Sequence, residues 1–441
     1  MSRTFAPDAE CAKGGRYRRP SMVYRASTQD YGAETFDESA FVQRVSAFLD
    51  NHCPRLDSVD QLIPESRTPP SEAMSLDAAR SYQASLDDAG LAGLTYPTEY
   101  GGAGLTQRHQ ELFTQTAAGW RLPDGPLSIS HGMCLPMLNE YGTHEQKSAY
   151  LPDNIRGTTI WCQMFSEPGA GSDIAGLSTR AVRDGDQWIL DGQKVWTSGA
   201  HYCDLGLVVA RTDPSLPKHQ GLSMFIVDLQ VSGIDIRPLL QISGTRGFNE
   251  VFFNGARIPA SSLLGDVNQG WNLAVSMLMF ERVSIGAGAG GLNTKRHPEL
   301  IRLAHQLGRH TDPTVRQALA ELVISEEIKD YVGQRIRSAI ASGRVPGPEG
   351  SIAKLTGSLL ARRVRDASMA ILGPAGQAWG LADNAHSEAR DWARFCVSAA
   401  GASIAGGTDE VQRNIIGERV LGLPKEPDPF KGAAWRDVPR S

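Results

Sequence analysis

The period of the hydrophobic residues changes twice along the chain, and this change constrains the fold more than any other feature of the sequence. From residue 37 to 157, apolar residues recur at the spacing of amphipathic helices, and one such stripe consists of Phe41, Val45, Phe48 and Leu49. From 158 to 268 they form short β-branched or aromatic runs bounded by Gly, Asp, Asn or Pro. From 269 to 427 the helical period returns in long amphipathic segments.

Short strands at regular spacing are typical of a barrel or sandwich, and long amphipathic helices are typical of a bundle. We therefore predict an α+β fold with an N-terminal helical domain, a central antiparallel β-barrel or sandwich domain, and a C-terminal four-helix bundle. Residues 1–36, which are basic and lack the apolar core of a secretory signal, are predicted to be a flexible extension. Residues 428–441 are predicted to be a tail.

The charge and cysteine content exclude several classes of function. Lys and Arg number 44 against 49 Asp and Glu, so the formal charge of −5 gives no electrostatic argument for nucleic acid or an anionic membrane. No stretch approaches the roughly 20 apolar residues of a membrane span. The cysteines form neither a CxxC pair nor a metal-ligand spacing, so we expect a reducing, cytoplasmic setting and no metal site. The partner is expected to be a small molecule or a protein.

Two segments of the β region have the composition of a cofactor site. Residues 166–173 form a loop of small and hydroxyl residues, whose backbone amides can approach an anionic or heteroaromatic ligand closely. Residues 196–199 place Trp196 beside the hydroxyls of Thr197 and Ser198. A flat redox ring needs both a stacking surface and hydrogen bonds to its edge. The alternative is an ordinary β-turn followed by a core tryptophan, and these residues alone do not decide between the two.

The run WCQMFSEPGAGSDIAGLSTRAVRDGDQWILDGQKVWTSGAHYCDLGLVVART at residues 161–212 resembles the flavin-contacting β domain of the acyl-CoA dehydrogenases. Further segments resemble the same family: LTYPTEYGGAGLT, GTHEQKSAYLP and IAGGTDEVQRNIIGERVLGLPKEP. The resemblance covers about residues 38–427. It implies the acyl-CoA dehydrogenase fold, FAD as the cofactor, and the introduction of a double bond between the α and β carbons of an acyl-CoA thioester.

The resemblance also implies positions that contact the cofactor, and it places Ser172 beside the CoA arm as well. These positions are Phe165, Ser166, Gly171, Ser172, Trp196, Thr197, Ser198, Gly376, Thr408 and Glu410. A nicotinamide cofactor is not indicated, because the GAGAGG run at residues 286–291 follows a predicted helix and not a strand.

Removal of an α-proton requires a general base, and an apolar cleft raises the pKa of a carboxylate toward the useful range. Most family members carry this base in a Tyr-Glu-Gly-Thr motif, but the matching residues 405–408 read Ala-Gly-Gly-Thr. A minority place it in a Glu-Arg motif on an earlier helix, which Glu281 matches. Glu281 shares a helical face with Ala274 and Met277, so from the residues alone it is either a structural or a functional carboxylate.

By the resemblance, Glu281 takes the α-proton, the backbone N–H of Gly406 polarises the thioester carbonyl, and the FAD N5 position accepts the β-hydride. An electron-transferring flavoprotein or a similar acceptor is then expected to reoxidise the flavin. The family forms dimers of dimers, so a homotetramer or heterotetramer is expected.

One family element is missing. Many relatives carry Arg-x-x-Phe-Gly after the helix that bears the base, whereas no Phe-Gly occurs between residues 292 and 317. The arginines that remain as candidates there are Arg296, Arg302, Arg309 and Arg316. This departure resembles a bacterial branch that handles bulky thioesters such as steroid side chains with unlike subunits. Two alternatives therefore stay open: an FAD-poor partner subunit, or a flavoenzyme acting on a carrier-protein thioester or on a nitro- or amino-substituted substrate.

Overall fold

The computed structural model of the protein describes residues 36–55, 72–284, 295–341, 347–377 and 387–439. The predicted N-terminal extension lies outside the described residues except for Phe36, and the GAGAGG run lies outside them entirely.

The N-terminal region is helical, as predicted. Its helices are α1 (Glu38–His52), α2 (Glu72–Asp88), α3 (Gln107–Ala117), α4 (Leu135–Tyr141) and α5 (His144–Arg156). The predicted stripe of α1 is buried, and Asp37 caps the start of this helix by accepting a hydrogen bond from the Ala40 N–H at 3.0 Å. At α5, Thr143 and Gln146 form a reciprocal capping box, and Gly157 ends the helix in the left-handed conformation.

The central region is a sheet, also as predicted. Its strands are β1 (Trp161–Met164), β2 (Arg180–Asp184), β3 (Gln187–Ser198), β4 (Leu205–Arg211), β5 (Leu222–Asp228), β6 (Ile234–Leu239), β7 (Phe248–Pro259) and β8 (Leu263–Leu264). The strand order is β6-β7-β3-β2-β4-β5-β8, and β1 pairs with β4. Most neighbours are antiparallel, including the long β3–β7 and β4–β5 ladders.

Two strand pairings are parallel, which the sequence pattern did not predict. Residues 161–164 of β1 pair with residues 205–208 of β4, and Arg180 of β2 pairs with Arg211 at the far end of the same strand. Because β5 pairs with β4 along its whole length, β1 and β2 share the other edge of β4. Residues 165–179 therefore leave the sheet after β1 and return to the same edge at β2.

The C-terminal region is helical again. Its helices are α6 (Gly270–Ser284), α7 (His297–Gln306), α8 (Pro313–Ala341), α9 (Gly350–Leu372), α10 (Ser387–Ser398) and α11 (Asp409–Ile415). Helices α7, α8, α9 and α10 contribute to one buried cluster, which is the predicted four-helix bundle. Among the helices that the structure describes, none combines the length and the apolar character that crossing a membrane requires.

Helix α6 packs differently from the bundle helices. Its buried residues Leu273, Ala274 and Met277 belong to the hydrophobic cluster that joins the N-terminal helices to the sheet. Gly270, the first residue of α6, lies so close to β5 that a Cβ atom there would come within 2.6 Å of the Ser223 backbone. Just before the helix, the Asn268 N–H donates to the Ser223 hydroxyl at 2.8 Å. The position of α6 is thus set by a close backbone contact with the sheet.

We expect Gly270→Ala to lower the midpoint of thermal unfolding by several degrees. The added methyl group has no room against the Ser223 backbone, and overpacking of this kind typically costs about 1–3 kcal/mol. The matched control is Gly125→Ala, because a Cβ at Gly125 meets nothing within 4 Å. Equal midpoints for the two variants, measured by circular dichroism, would contradict this packing of α6.

Candidate functional site

The loop that follows β1 is held in place by a buried lysine of β3. The Lys194 side chain is fully buried, and its Nζ donates to the Phe165 carbonyl at 3.0 Å and to Glu167 Oε1 at 2.8 Å. Glu167 is also buried, and its carboxylate accepts the N–H groups of Ser178 at 2.6 Å and Thr179 at 2.9 Å. This ion pair therefore connects β3 to both ends of the loop between β1 and β2, residues 165–179.

Glu167 is held in its charged form. Burial acts to raise the pKa of its carboxyl group, but the Lys194 charge and the hydrogen bonds from Lys194, Thr179 and Ser178 outweigh burial, so the pKa lies below its usual value. A carboxylate with a lowered pKa and three donors is a structural anchor and a poor proton carrier. Lys194 was not among the predicted site residues, although it lies an even number of residues from the inward-facing Trp188 and Leu190 of β3.

Trp196 lies on the solvent side of the same strand. Its side chain is 59% exposed, and its ring meets Phe248 edge-on at 5.8 Å between centroids. The alternative of a core tryptophan is therefore wrong. Its backbone has φ 60°, in the left-handed region, where the β3–β7 register is irregular between Lys194 and Thr197. A bulky residue in this conformation is strained, and such strain concentrates at functional sites.

The structure brings several predicted cofactor residues together around Trp196. The Val195 N–H donates to the Ser166 carbonyl at 2.9 Å, which joins the loop to β3 next to Trp196. Ser166 and Ser198 are half-buried, and their hydroxyl groups have no partner within the described part of the chain. Phe165 and Thr197 are buried, and the Thr197 carbonyl accepts from Asn249 Nδ2 at 3.0 Å.

The next part of the loop is open to solvent. Gly171 and Ser172 are exposed, and a Cβ at either Gly169 or Gly171 would meet nothing within 4 Å. An exposed ring, two available hydroxyls and an open glycine loop provide the stacking surface and edge donors that a flat redox cofactor requires. The residues present therefore fit FAD.

A second group of predicted residues lies in a turn before α11. Gly406 and Gly407 have φ 67° and 86°, and both of their carbonyls accept from Gln412 Nε2, at 3.0 and 3.2 Å. Thr408 caps α11 by accepting from the Val411 N–H at 3.2 Å. Glu410 is exposed and pairs with Arg413 at 3.3 Å.

The buried acidic residue of this turn is Asp409, which the sequence analysis did not select. It accepts from the Ser358 hydroxyl at 2.5 Å and pairs with Arg362 at 3.2 Å and Lys354 at 3.5 Å, all on α9. Burial acts to raise the pKa of Asp409, but hydrogen bonds from serine hydroxyls and the Lys354 charge keep it below its usual value. Asp409 thus fixes the glycine turn to the bundle.

Glu281 lies in the last turn of α6 and is half-buried. The predicted apolar face is present, since Ala274 and Met277 are fully buried. Helix α6 packs against β5 and α4, whereas the turn containing Gly406 leads into α11, which packs against α9. Glu281 and Gly406 are therefore held by separate elements.

The remaining predicted positions lie in the bundle. Gly376 is buried and lines a cavity of about 280 Å³ with Met369, Ala393 and the exposed Ile242. Two of the arginines considered as replacements for the missing motif pair with carboxylates three residues away on the chain: Arg296 with Glu299 at 3.2 Å and Arg309 with Asp312 at 2.9 Å.

Three domain families match the chain. They are the acyl-CoA dehydrogenase N-terminal domain at residues 35–158, the middle domain at 162–256 and the C-terminal domain at 268–421. Acyl-CoA dehydrogenase IpdE1 of Mycobacterium tuberculosis (strain ATCC 25618 / H37Rv) is 36% identical over 364 residues, which cover 81% of this chain and 91% of that protein.

Solved structures show the same similarity. The Tcur3481-Tcur3483 steroid ACAD superimposes with a TM-score of 0.73 at 28% identity, covering 89% of this chain and 100% of that chain. The ChsE4-ChsE5 complex from Mycobacterium tuberculosis superimposes with a TM-score of 0.69 at 28% identity, covering 90% of this chain and 100% of that chain.

We expect Lys194→Met to destabilise the protein by about 3–5 kcal/mol, because it leaves the Glu167 carboxylate buried without its counter-charge. Adding Glu167→Gln to this variant removes the charge and is expected to recover most of the loss. The control is Arg257→Met, which breaks an exposed pair with Asp184 of equal length, 2.8 Å, and should change stability by about 1 kcal/mol or less. Urea unfolding followed by circular dichroism measures all three. A Lys194→Met midpoint equal to that of Arg257→Met would rule out the anchoring role.

Proposed function

Because the chain belongs to the acyl-CoA dehydrogenase family, we propose that it binds FAD and catalyses the α,β-dehydrogenation of an acyl-CoA thioester. The strongest structural support is Trp196, a largely exposed ring that is held in a strained backbone conformation beside the anchored loop of Ser166. A protein that did not use this surface would gain by burying the ring and relaxing its backbone.

The residues that would hold FAD come from the loop and from β3. Ser166 and Ser198 would donate hydrogen bonds to the edge of the ring system, and Trp196 would pack against it. Gly171 and Ser172 would let the extended part of the ligand approach the backbone. When bound, FAD supplies the acceptor for the hydride that leaves the β carbon.

The protein's own part in the reaction is the handling of the α-proton. Glu281 would remove it, from a helix whose neighbouring turn is occupied by the buried Met277 and Ala274. The Gly406 N–H would polarise the thioester carbonyl, since among the described residues it has no hydrogen-bond acceptor, whereas the N–H groups of Ile404 and Ala405 both donate to Gly401. Negative charge that develops on the carbonyl oxygen would then be stabilised by a donor already in place.

The substrate is proposed to carry a bulky acyl group. This proposal is supported by the similarity to a steroid ACAD and by the absence of the Glu that most relatives place at position 406. An electron-transferring flavoprotein is the proposed electron acceptor.

The alternative of an FAD-poor partner subunit is supported by the missing Arg-x-x-Phe-Gly element and by similarity to the ChsE4-ChsE5 complex.

A tetrameric assembly is also proposed. Helix α8 exposes Ile324, Ile328 and Tyr331, which follow one another at helical spacing and are 58%, 53% and 61% exposed. Such a stripe on one helix face is typical of a surface that another subunit covers.

We expect Glu281→Gln to slow flavin reduction by a thioester substrate by at least roughly 10²-fold, the lower end of what a positioned general base contributes. The substitution keeps the side-chain volume, so folding and FAD binding should be retained. Stopped-flow absorbance under anaerobic conditions measures the rate. The control is Glu321→Gln, the same change at an exposed position of α8.

An unchanged reduction rate in Glu281→Gln would place the base elsewhere. Adding Gly406→Glu to Glu281→Gln would restore a carboxylate at the position that most relatives use. Recovery is expected to be partial at best, because position 406 has φ 67° and a residue with a side chain is strained there.

For an active subunit we expect one FAD per chain in a tetramer. Size-exclusion chromatography with light scattering and flavin absorbance gives the mass and the flavin content together. About half a flavin per chain, or flavin only after a second protein is added, would favour the partner-subunit alternative. A colourless monomer in excess FAD would contradict both the cofactor and the assembly proposals.

A further inference from the structure

Residues 434–436 contact the connection between β4 and β5, although they lie beyond residue 421, where the family match ends. The backbone N–H groups of Trp435 and Arg436 donate to the carbonyls of Leu216 at 2.9 Å and Pro214 at 3.1 Å. Ala434 and Pro217 form an isolated β-bridge next to these bonds. Residues 434–436 of the predicted tail are thus bound to the connection between β4 and β5.

The same segment completes a set of hydrogen bonds to the end of the cofactor loop. Arg211 is buried at the end of β4, and its Nη2 donates to the carbonyls of Ala175 at 2.6 Å and Leu177 at 3.3 Å. Trp435 Nε1 donates to the carbonyl between them, that of Gly176, at 3.3 Å. Three consecutive carbonyls are therefore held by two side chains.

The two side chains also hold each other. The Arg211 guanidinium lies 4.5 Å from the centroid of the Trp435 ring, an attractive cation–π geometry that is stronger when the cation is shielded from water. The other arm of Arg211 donates to the Lys218 carbonyl at 2.8 Å, and Lys218 Nζ pairs with Asp173 at 2.8 Å. Arg211 and Trp435 thus hold the carbonyls of residues 175–177 directly, and Arg211 is linked to Asp173 through Lys218.

Residues 173–177 directly follow Gly171 and Ser172, the open part of the FAD and CoA site. On the other side of this open part, Lys194 and Glu167 anchor residues 165–167, and Glu167 also holds residues 178 and 179. A loop fixed at both ends can keep exposed glycine and serine residues in one geometry without using their side chains, which lowers the ordering cost of binding.

We propose that residues 434–438 form a positioning element for the cofactor site, and that Trp435 acts through Arg211 and the carbonyls of residues 175–177. The inference rests on the proposed FAD site. It assigns a role to a segment outside the matched family domains and predicts that loss of one indole ring, remote from the reacting carbons, weakens binding of FAD and of the CoA arm.

The test compares Trp435→Ala with the parent as the full chain. We expect faster amide hydrogen exchange in peptides that cover residues 171–179 of the FAD-free protein. We also expect the FAD dissociation constant, measured by fluorescence titration, to rise about tenfold, which corresponds to 1.4 kcal/mol. In the FAD-loaded protein, KM for the thioester should rise while kcat changes little, because Glu281 is untouched.

Two further variants make the result specific. Phe430→Ala removes a 44% exposed ring from the part of the tail that precedes this element, and it should leave both measurements unchanged. Trp435→Phe keeps a ring over Arg211 but removes the donor to Gly176, so its exchange rates and FAD affinity should lie between those of the parent and Trp435→Ala. If Trp435→Ala does not fold, the comparison rests on Trp435→Phe, and parent-like values in that variant would overturn the proposal.

Unchanged amide exchange at residues 171–179 in a folded Trp435→Ala variant would overturn the proposal, whether or not the FAD dissociation constant changes. Faster exchange with unchanged FAD affinity and KM would also overturn it, because the contact would then be structural only. A parent chain that binds no FAD, alone or with a partner, would instead contradict the proposed function. The exchange measurement would still test whether Trp435 holds residues 171–179 in place.

Discussion

The ion pair between Lys194 and Glu167 is the interaction on which the rest of the site depends. Two charges removed from water stabilise a fold only when their remaining hydrogen-bonding groups are also satisfied, and here the pair takes up the Phe165 carbonyl and two backbone N–H groups of residues 178 and 179. It therefore connects three separate stretches of chain. The loop between β1 and β2 leaves the sheet and returns to the same edge of β4. Because the ion pair holds both ends of this loop, its exposed glycine-rich part can keep a defined geometry.

Glu281, the proposed catalytic carboxylate, is positioned by a different contact. Gly270 brings α6 against the backbone of β5, and the buried face of α6 packs into the cluster that joins the N-terminal helices to the sheet. Glu281 is carried at the other end of this helix. The glycine turn at residues 406–407 is fixed to the bundle by Asp409 and its partners on α9. The proposed chemistry thus requires three anchored elements to meet, and each anchor can be removed without touching the others.

Much of the fold could be predicted because hydrophobic period reports directly on burial. The stripe of α1 and the change to short strands were sufficient for the helical, sheet and helical regions. The parallel pairings of β1 and β2 could not be predicted, because period two shows which face is buried but not which strand is the neighbour. The exposure of Trp196 depends on a local irregularity in β3, which alternation does not reveal. Asp409 was missed for a similar reason: its burial comes from charges on α9, more than forty residues away in the sequence.

Whether this chain itself oxidises an acyl-CoA thioester can be measured directly. The experiment is an anaerobic titration of the FAD-loaded protein with a bulky acyl-CoA, with the flavin absorbance and the mass of the thioester followed in the same sample. We expect the flavin band to be bleached in proportion to the formation of a product that lacks two hydrogens. A flavin that stays oxidised beside an unchanged thioester, with and without a partner subunit, would contradict this expectation.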